Sequence, residues 1–290
     1  ADRRQRQMCI RDRGVFAEQR SYPAYIRFAG PGPDVPADIE DVGFSSMSIK
    51  LMDVPGEKLM DTEHNTQDFP AVCTPTFVTP NTRANARLQY WSLVDMPIYY
   101  FINFRESHLL DFMMQSLWNE TQYNPLGQRH YSNTPYLLGE GQAMMYSFVP
   151  RTEVHRKIPG VPFGRVPFDY LRDNMVKTLD EKDVEFDFML QLQTDPHAMP
   201  VENAAVRWPE ELSPFIPAAK IRIPRQKFDS PARFEFARTL RINPWQGLKE
   251  HRPLGNQNRA RKRMYYELSA LRMKMNDVSH EEPDGTEVFD

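Results

Sequence analysis

Hydrophobic and polar residues alternate most regularly near the middle of the chain, between residues 184 and 193. Apolar side chains stand at every second position there, and they are Val184, Phe186, Phe188, Leu190 and Leu192. Side chains with a period of two point alternately to the two faces of a sheet. The pattern predicts a β-strand with one buried face, and residues 219–223 predict another.

Two further patterns predict strands that pair locally. Residues 24–28 read as an extended segment with Tyr25 and Arg27 on one face. Residues 48–52 and 57–61 flank Pro55-Gly56, which is typical of a hairpin turn. Residues 131–138 and 142–149 flank a glycine-rich turn and predict a second hairpin. No amphipathic helix follows that turn, so it does not have the pattern of a phosphate-binding loop.

Helical spacing dominates three other stretches. Residues 81–120 are mainly helical, and Ser107 is a candidate N-cap for a helix with a wide apolar face. Asp169 is a candidate N-cap for a helix through residue 179. Near the far end, an apolar stripe at helical spacing predicts an amphipathic helix packed against a core, and the stripe comprises Ala260, Met264, Leu268, Leu271 and Met275.

Composition narrows the class of protein. The chain has 290 residues, of which 40% are hydrophobic and 26% charged, and its formal net charge is -3. These values are ordinary for a globular protein and predict neither a nucleic acid partner nor a broad anionic-membrane patch. No apolar run approaches the roughly 18 residues of a transmembrane segment. Two cysteines, Cys9 and Cys73, make no disulfide framework, so we expect a reducing, cytoplasmic location.

The organisation along the chain is a single large domain with distinct ends. Residues 1–13 carry five arginines and predict either a basic arm or a cloning or assembly scar. A signal peptide could then have preceded residue 14 in the intact protein. The globular pattern runs over residues 14–276, and the acidic tail 277–290 is expected to be extended or disordered.

Arg261 and Tyr265 carry the sharpest candidate chemistry. They are four residues apart in a predicted helix, so their side chains share one face. A guanidinium beside a phenol favours the phenolate, and a phenolate oxygen is a hard anionic ligand for ferric iron. This spacing alone is more typical of a solvated edge beside a packed ring than of a metal ligand.

The surrounding passage, NPWQGLKEHRPLGNQNRARKRMYYELSALR, resembles the proximal haem helix of the catalase family, in its small single-domain branch. FDFMLQLQTD and AAKIRIPRQKFDSP precede it in the order expected for that family, so the resemblance covers roughly residues 14–276. It implies an α+β fold built on a closed antiparallel β-barrel with helices outside, holding one haem b. It also implies that Tyr265 is the iron ligand and Arg261 its catalytic partner.

The same resemblance assigns other haem contacts. The family's Val-Arg-Phe-Ser strand matches at Arg27, which implies a propionate contact, while Ala29 stands where the family has serine. Arg252 and Arg259 are further candidates for the propionates, and Phe77 for the haem pocket. Guanidinium groups suit this task because they bind carboxylates through charge-assisted hydrogen bonds.

The distal side departs from the family. Its acid–base histidine should lie upstream of residue 14, where this sequence has none, and its asparagine aligns with Val72 or Cys73. Cys73 is more typical of an inert buried residue than of a reactive thiol. His64 falls in a polar loop. The resemblance therefore implies a haem-dependent oxidoreductase acting on hydrogen peroxide or on organic or lipid hydroperoxides, with weak catalase activity.

Two alternatives from other classes remain open. One is a catalase-fold protein that binds haem without efficient turnover, and the other is a haem-free scaffold or binding protein. The seven histidines show no pair at zinc-ligand spacing, and no Gly-x-Ser-x-Gly motif is present, which argues against a hydrolase. The resemblance is also compatible with a homo-oligomer.

Overall fold

The structure of the chain is a computed structural model. It describes residues 13–30, 37–40, 44–94, 96, 98–102, 107–109, 113, 121–161 and 163–289. The predicted basic arm or scar therefore lies almost wholly outside the described residues.

One antiparallel sheet forms the centre of the molecule. Its strands are β1 (Ala24–Ala29), β2 (Ser46–Leu51), β3 (Gln67–Val72), β4 (His130–Tyr131), β5 (Tyr136–Leu137), β6 (Ala143–Pro150), β7 (Val184–Leu192) and β8 (Ile216–Ile223). They are ordered β1-β2-β3-β4-β6-β7-β8, and β5 pairs with β6.

Strands β7 and β8 form where the alternation predicted them. In β7 the odd-numbered positions before residue 190 are half-buried, and Val184, Phe186 and Phe188 are buried. Phe186 pairs with Ile221 of β8, and the register shifts between Phe188 and Met189. The glycine-rich turn at 139–141 joins β5 to β6 as a hairpin, and both glycines in it have positive φ.

The predicted closed barrel is wrong. The sheet curls into a half-barrel, and β1 and β8 end the strand order without pairing with each other in the part of the chain that the structure describes. Instead, β1 is covered by side chains from elsewhere. The ring of Tyr25 lies 4.7 Å from that of Phe236 and 6.1 Å from that of Phe289, measured between centroids. Side-chain cover thus replaces strand pairing at this edge.

The strand predicted over residues 57–61 is also absent from the sheet. Asp53 has a φ of 56°, which turns the chain out of β2, and the Val54 amide then donates to the Asn65 carbonyl at 2.8 Å. The intervening loop is closed by this bond, and only Lys58 makes a bridge, to Leu248. Consequently β3, not the nearer segment, pairs with β2.

Five helices lie around the sheet in the described part of the chain. They are α1 (Thr82–Leu93), α2 (Ile98–Phe101), α3 (Tyr170–Glu181), α4 (Pro231–Thr239) and α5 (Gly255–Met275). Asn81 caps α1 by accepting from the Ala84 amide at 3.0 Å. Asp169 stands at the start of α3 as predicted, but its side chain makes no cap bond, and Asp38 accepts from the Leu171 amide instead. The helix predicted after Ser107 lies largely outside the described residues.

Helix α5 forms where the sequence predicted it, but its apolar stripe does not pack against a core. Met264, Leu268, Leu271 and Met275 are all exposed, the last to 77%. The buried side chains on the helix include the polar residues Gln257 and Asn258. The expectation fails because the inward face of α5 is held by hydrogen bonds rather than by apolar burial.

The C-terminal segment, residues 277–289, for which the sequence predicts an extended or disordered chain, runs against the sheet without forming a helix or strand. The Glu282 carboxylate accepts from the amides of His64 and Asn65. Tyr25 on β1 donates to the Glu287 carboxylate at 2.5 Å. The segment therefore connects the end of α5 to β1 and to the loop before β3.

The main core lies against the concave side of the sheet and contains a cluster of aromatic rings. Phe69, Tyr146, Phe148 and Phe188 pack with centroids 5.1–5.6 Å apart. Burying each such side chain contributes about 1.5–3 kcal/mol relative to exposure. Of the described helices, none is long and apolar enough to cross a bilayer.

Candidate functional site

A cavity of about 660 Å³ lies between the first three strands and helix α5. Helix α1 closes a third side. The lining residues on these elements include Arg27, Ser48, Val72, Phe77, Gln89, Ser132, Arg261, Tyr265 and Arg272. A volume of this size falls in the range of small-molecule and cofactor sites.

Arg261 and Tyr265 form a contact pair on the wall made by α5. The Arg261 Nη2 donates to the Tyr265 hydroxyl at 3.1 Å, and its guanidinium carbon lies 5.1 Å from the centre of the same ring. The charge of Arg261 lowers the pKa of Tyr265, although burial opposes the shift. The pair thus favours an anionic phenolate oxygen in the cavity wall.

Neighbouring polar groups fix the Arg261 side chain. Its Nη1 donates to the Asn258 Oδ1 at 3.2 Å and to the Thr134 hydroxyl at 3.4 Å. Burial lowers the pKa of Arg261, but the adjoining Tyr265 raises that pKa by more than burial lowers it. The net shift of the Arg261 pKa is therefore upward. The guanidinium therefore remains charged, and its position is determined by three partners.

The start of α5 is held in the same way. Trp245 donates from its indole to the Asn258 carbonyl at 2.6 Å, and the Asn258 amide donates to the Pro135 carbonyl at 3.1 Å. Gly255 has a φ of 85°, and a Cβ there would lie 2.5 Å from the Val201 carbonyl oxygen. The close approach at Gly255 and these bonds orient the helix toward the sheet.

Three arginines lie together beside the cavity. Burial lowers the pKa of Arg27 on β1. Burial also lowers the pKa of Arg272 on α5, as do the charges of Arg27 and Arg241. Arg272 donates to the Leu240 carbonyl at 2.9 Å, and the Nε atoms of Arg241 and Arg272 have no partner. None of the three pairs with a carboxylate among the described residues, so the cluster favours an anionic ligand.

The remaining wall carries neutral polar groups. Among the described lining residues there is no histidine, cysteine, aspartate or glutamate, and the polar ones include Ser46, Ser48, Thr74, Thr76, Ser132 and Asn133. The Asn133 amide donates to the Thr74 carbonyl at 2.7 Å. These groups can orient a ligand, but none of them is an efficient acid or base near neutral pH.

The two positions aligned with the family's asparagine differ in their surroundings. Val72 lines the cavity, as does Ala29 at the position of the family's serine. Cys73 is outside the lining set, and the Gln122 amide lies 3.6 Å from its Sγ. His64 is exposed in its loop. None of these side chains supplies an acid–base group to the cavity.

The structure brings together four of the six residues singled out from the sequence, namely Arg27, Phe77, Arg261 and Tyr265. It does not bring Arg252 or Arg259 to the cavity. Arg252 is exposed, and Arg259 makes a two-bond ion pair with the Glu202 carboxylate at 2.9 and 3.0 Å. Arg259 lies on an exposed face of α5, whereas Arg252 precedes the helix.

Arg241 and Arg272 are the residues that the sequence reasoning missed. Arg272 follows Tyr265 by seven residues, which is two helical turns, so both side chains lie on one face. That spacing was available in the sequence. Arg241 had no comparable signal, because it lies just after α4 in a segment without regular structure.

Comparison with known proteins yields similarity only in structure. No family model matches the chain, and no curated protein matches it in sequence. Catalase A from Saccharomyces cerevisiae matches with a TM-score of 0.67 and 14% identity, over 90% of this chain and 55% of that one. A fungal catalase matches with a TM-score of 0.65 and 13% identity, over 87% of this chain and 52% of that one. A bacterial catalase matches with a TM-score of 0.57 and 12% identity, over 93% of this chain and 56% of that one.

These similarities show a catalase-like fold. At 12–14% sequence identity they establish the fold and nothing further. The chain spans about half the length of the catalases that it matches. No group of three or more histidine, cysteine, aspartate or glutamate side chains able to hold a metal occurs in the described part of the chain.

Proposed function

We propose that the cavity binds haem b and that the chain is a haem-dependent oxidoreductase acting on hydrogen peroxide or on organic or lipid hydroperoxides. The observation that carries the proposal is the 3.1 Å bond from Arg261 to the Tyr265 hydroxyl in the cavity wall. A phenol with a lowered pKa is a suitable axial ligand for ferric iron. The catalase-like fold is consistent with this role.

The donor set of the cavity fits such a group. Tyr265 would be the iron ligand, and Arg261 would limit the basicity of its oxygen. Arg27, Arg241 and Arg272 lack carboxylate partners among the described residues, and they would bind the two propionates of the haem. Phe77, with the other apolar lining residues, would cover the macrocycle.

The haem iron would supply the two-electron chemistry that breaks a peroxide O–O bond. The residues of the chain would do the rest. Arg261 would favour the ionised form of Tyr265, and the hydroxyl of Ser132 would offer a hydrogen bond to a polar ligand, whereas that of Thr74 already donates to the Thr76 carbonyl. The Asn133 amide is already committed to Thr74. Proton movement would fall to water, since no lining side chain among the described residues is a suitable general base.

The test is a titration with hemin, followed by absorbance, of the wild type and two single variants. Tyr265→Phe removes the ligand oxygen and keeps the ring. Tyr266→Phe is the matched control, because the adjacent phenol is 44% exposed and lies outside this cavity. We expect an altered spectrum and weaker binding only in Tyr265→Phe. Identical titrations for all three proteins would refute the ligand assignment.

A second candidate function is haem binding with little dismutation of hydrogen peroxide. The observation that favours it is the lack of an acid–base side chain among the described cavity residues. General acid–base catalysis contributes roughly 100-fold to 10,000-fold. Oxygen evolution per bound haem, measured beside a catalase, separates the two. Turnover within ten-fold of the catalase would eliminate this second function.

A further inference from the structure

The segment between β6 and α3 has a composition unlike that of the whole chain. Residues 154–168 contain Arg156, Lys157, Arg165 and His155 but no acidic residue, whereas the complete sequence has a net charge of -3. The same segment also contains six large apolar residues, namely Val154, Ile158, Val161, Phe163, Val166 and Phe168. Positive charge and apolar side chains are thus combined in fifteen residues.

Both ends of this segment are attached to the body of the protein. Val154 packs against the main core, and the Asn174 amide of α3 donates to the Lys157 carbonyl at 3.1 Å. At the other end, the Asp38 amide donates to the Phe168 carbonyl at 2.9 Å. The middle of the segment therefore projects from two fixed points.

A tight turn shapes the projecting part. The Gly164 amide donates to the Gly160 carbonyl. Gly160 has a φ of 85°, and a Cβ there would lie 2.4 Å from the Arg165 carbonyl oxygen, so only glycine fits. Beside this closed turn, the side chains of Val161 and Phe163 point outward.

The outward side chains are apolar. Phe163 is 98% exposed, and Val161 and Phe168 are each 56% exposed. An aromatic side chain with almost no protein contact loses the 1.5–3 kcal/mol or so that burial would contribute. Clustered exposure of this kind is typical of an interaction surface.

The charges beside this tip indicate what kind of partner it fits. Arg156, Lys157 and Arg165 are exposed, and none pairs with a carboxylate among the described residues. His155 lies 3.4 Å from the Lys177 ammonium. Of the flanking acids, Asp169 contacts Arg172 at 3.5 Å and Glu153 is exposed. The charged side chains within residues 154–168 are therefore all positive, and they lie beside an apolar tip.

We propose that residues 154–168 dock this protein on an anionic lipid surface. Phe163 and Val161 would enter the headgroup boundary, and Arg156, Lys157 and Arg165 would contact lipid phosphates and carboxylates. A nucleic acid would use the cations but not the apolar tip. A second copy of the chain would use the tip, but it would gain little from three unpaired cations.

The first experiment measures sedimentation of the wild type with vesicles of phosphatidylcholine, with and without phosphatidylserine. We expect binding only when phosphatidylserine is present, and weakening by salt. Arg156→Gln with Lys157→Gln should reduce binding roughly 25-fold, at about five-fold per cation. Arg263→Gln with Lys274→Gln removes the same charge from α5 and should change binding less than two-fold.

The second experiment tests the apolar tip. Phe163→Ser should reduce vesicle binding about ten-fold, while Leu212→Ser, at another exposed apolar position, should leave it unchanged. Equal binding to neutral vesicles, or binding unaffected by Phe163→Ser, would overturn the proposal. So would light scattering in which Phe163→Ser converts a dimer to a monomer while lipid binding stays the same. Circular dichroism checks that each variant is folded.

Discussion

The Arg261 guanidinium donates a hydrogen bond of 3.1 Å to the Tyr265 hydroxyl from one turn earlier in α5. The two side chains therefore move with one rigid element. Because Asn258 and Thr134 hold the other side of the guanidinium, the charge beside the phenol is fixed in position. The phenol is prepared for ionisation by the protein itself.

Tyr265 should be the first of the perturbed tyrosines to ionise. The charge of Arg261 lowers its pKa below 10.0, whereas burial raises the pKa of Tyr136 and Tyr146. Ultraviolet difference spectra recorded as the pH rises should show one early phenolate in the wild type and none in Tyr265→Phe. In Arg261→Met the early phase should disappear, because burial then acts alone.

The sign of the linked stability follows from that direction. A depressed pKa contributes stability above the unfolded value of about 10, and this contribution is lost as the pH falls through the folded value. Arg261→Met should therefore lower the free energy of unfolding of the protein at alkaline pH by more than it does near neutral pH. An unchanged alkaline limb of the unfolding curve would contradict this account of the pair.

Arg27 and Arg272 should govern hemin retention. Each guanidinium lines the cavity without a carboxylate partner among the described residues. A hydrogen bond to a charged group contributes about 1.5–3 kcal/mol. Arg27→Gln and Arg272→Gln are each expected to weaken hemin affinity about ten- to a hundred-fold. The measurement is transfer of bound hemin to an excess of a haem-scavenging protein.

Arg259→Gln is the control for that experiment. Arg259 is paired with Glu202 on the surface, so its loss should leave hemin transfer unchanged. If Arg259→Gln released hemin as fast as Arg27→Gln, the separation of cavity arginines from surface arginines would be wrong.

Lys50 should be essential for stability although it lies outside the cavity. It is fully buried, and its ammonium contacts the Glu63 carboxylate and, at 2.8 Å, that of Asp68. Burial raises the pKa of Asp68, which only Lys50 and hydrogen bonds oppose. Among the described residues, Lys50→Met leaves the buried Asp68 carboxylate without a cation and leaves Glu63 with only the His280 imidazole at 3.1 Å, so it should cost about 3–5 kcal/mol in denaturant unfolding.

Lys249→Met provides a comparison in an exposed pair. Lys249 contacts Glu57 at 2.5 Å, but both side chains are more than half exposed. The free energy of unfolding should change by less than about 1 kcal/mol. A similar loss in the two variants would mean that burial does not set the contribution of the Lys50 pair.

His251 should make the protein sensitive to acid. Burial lowers its pKa to about 4, and its Nε2 accepts from the Val15 amide at 3.1 Å, so the folded protein holds it neutral. The folded protein therefore binds fewer protons than the unfolded protein between pH 6.5 and about 4. As the pH falls through that window, the contribution of His251 lowers the free energy of unfolding by roughly 3 kcal/mol. His251→Gln should reduce this slope in denaturant unfolding, and the remainder includes the contribution of His130, whose pKa burial lowers to about 3.

The slope is the informative quantity, since His251→Gln will also lower stability at every pH by disturbing packing near Phe16. His197→Gln alters an exposed imidazole and should leave the slope as in the wild type. A wild-type curve that is flat from neutrality to pH 4 would contradict the assignment of a neutral buried His251.

Local pattern was sufficient for the elements with strong periodicity. β7, β8 and the β5–β6 hairpin lie where alternation and glycine predicted them, because one buried face and a positive φ leave few other conformations. Arg261 and Tyr265 could be paired from their spacing alone. The contact of Arg27 with the same cavity required the order of the strands, which only the resemblance supplied.

Properties set by distant residues could not be read from the sequence. The closed barrel was wrong because closure depends on whether β1 meets β8, and Tyr25 meets Phe236 and Phe289 instead. The loop over 54–61 depends on a bond from Val54 to Asn65. Hydrogen bonds of Asn258 and Arg261 determine which face of α5 turns inward, so most of its apolar stripe is exposed to solvent and only Leu268 of the stripe lines the described cavity.

That inverted orientation of α5 reverses the usual rule for which substitutions a helix tolerates. In most amphipathic helices the apolar positions are restricted and the polar ones vary freely. Along α5, polar replacements at Met264, Leu271 and Met275 should be accepted, whereas even conservative changes at Asn258 should not. A library of variants selected for folded protein would be depleted at the buried polar positions, and a ranking of the helix by hydrophobicity would choose the wrong residues to preserve.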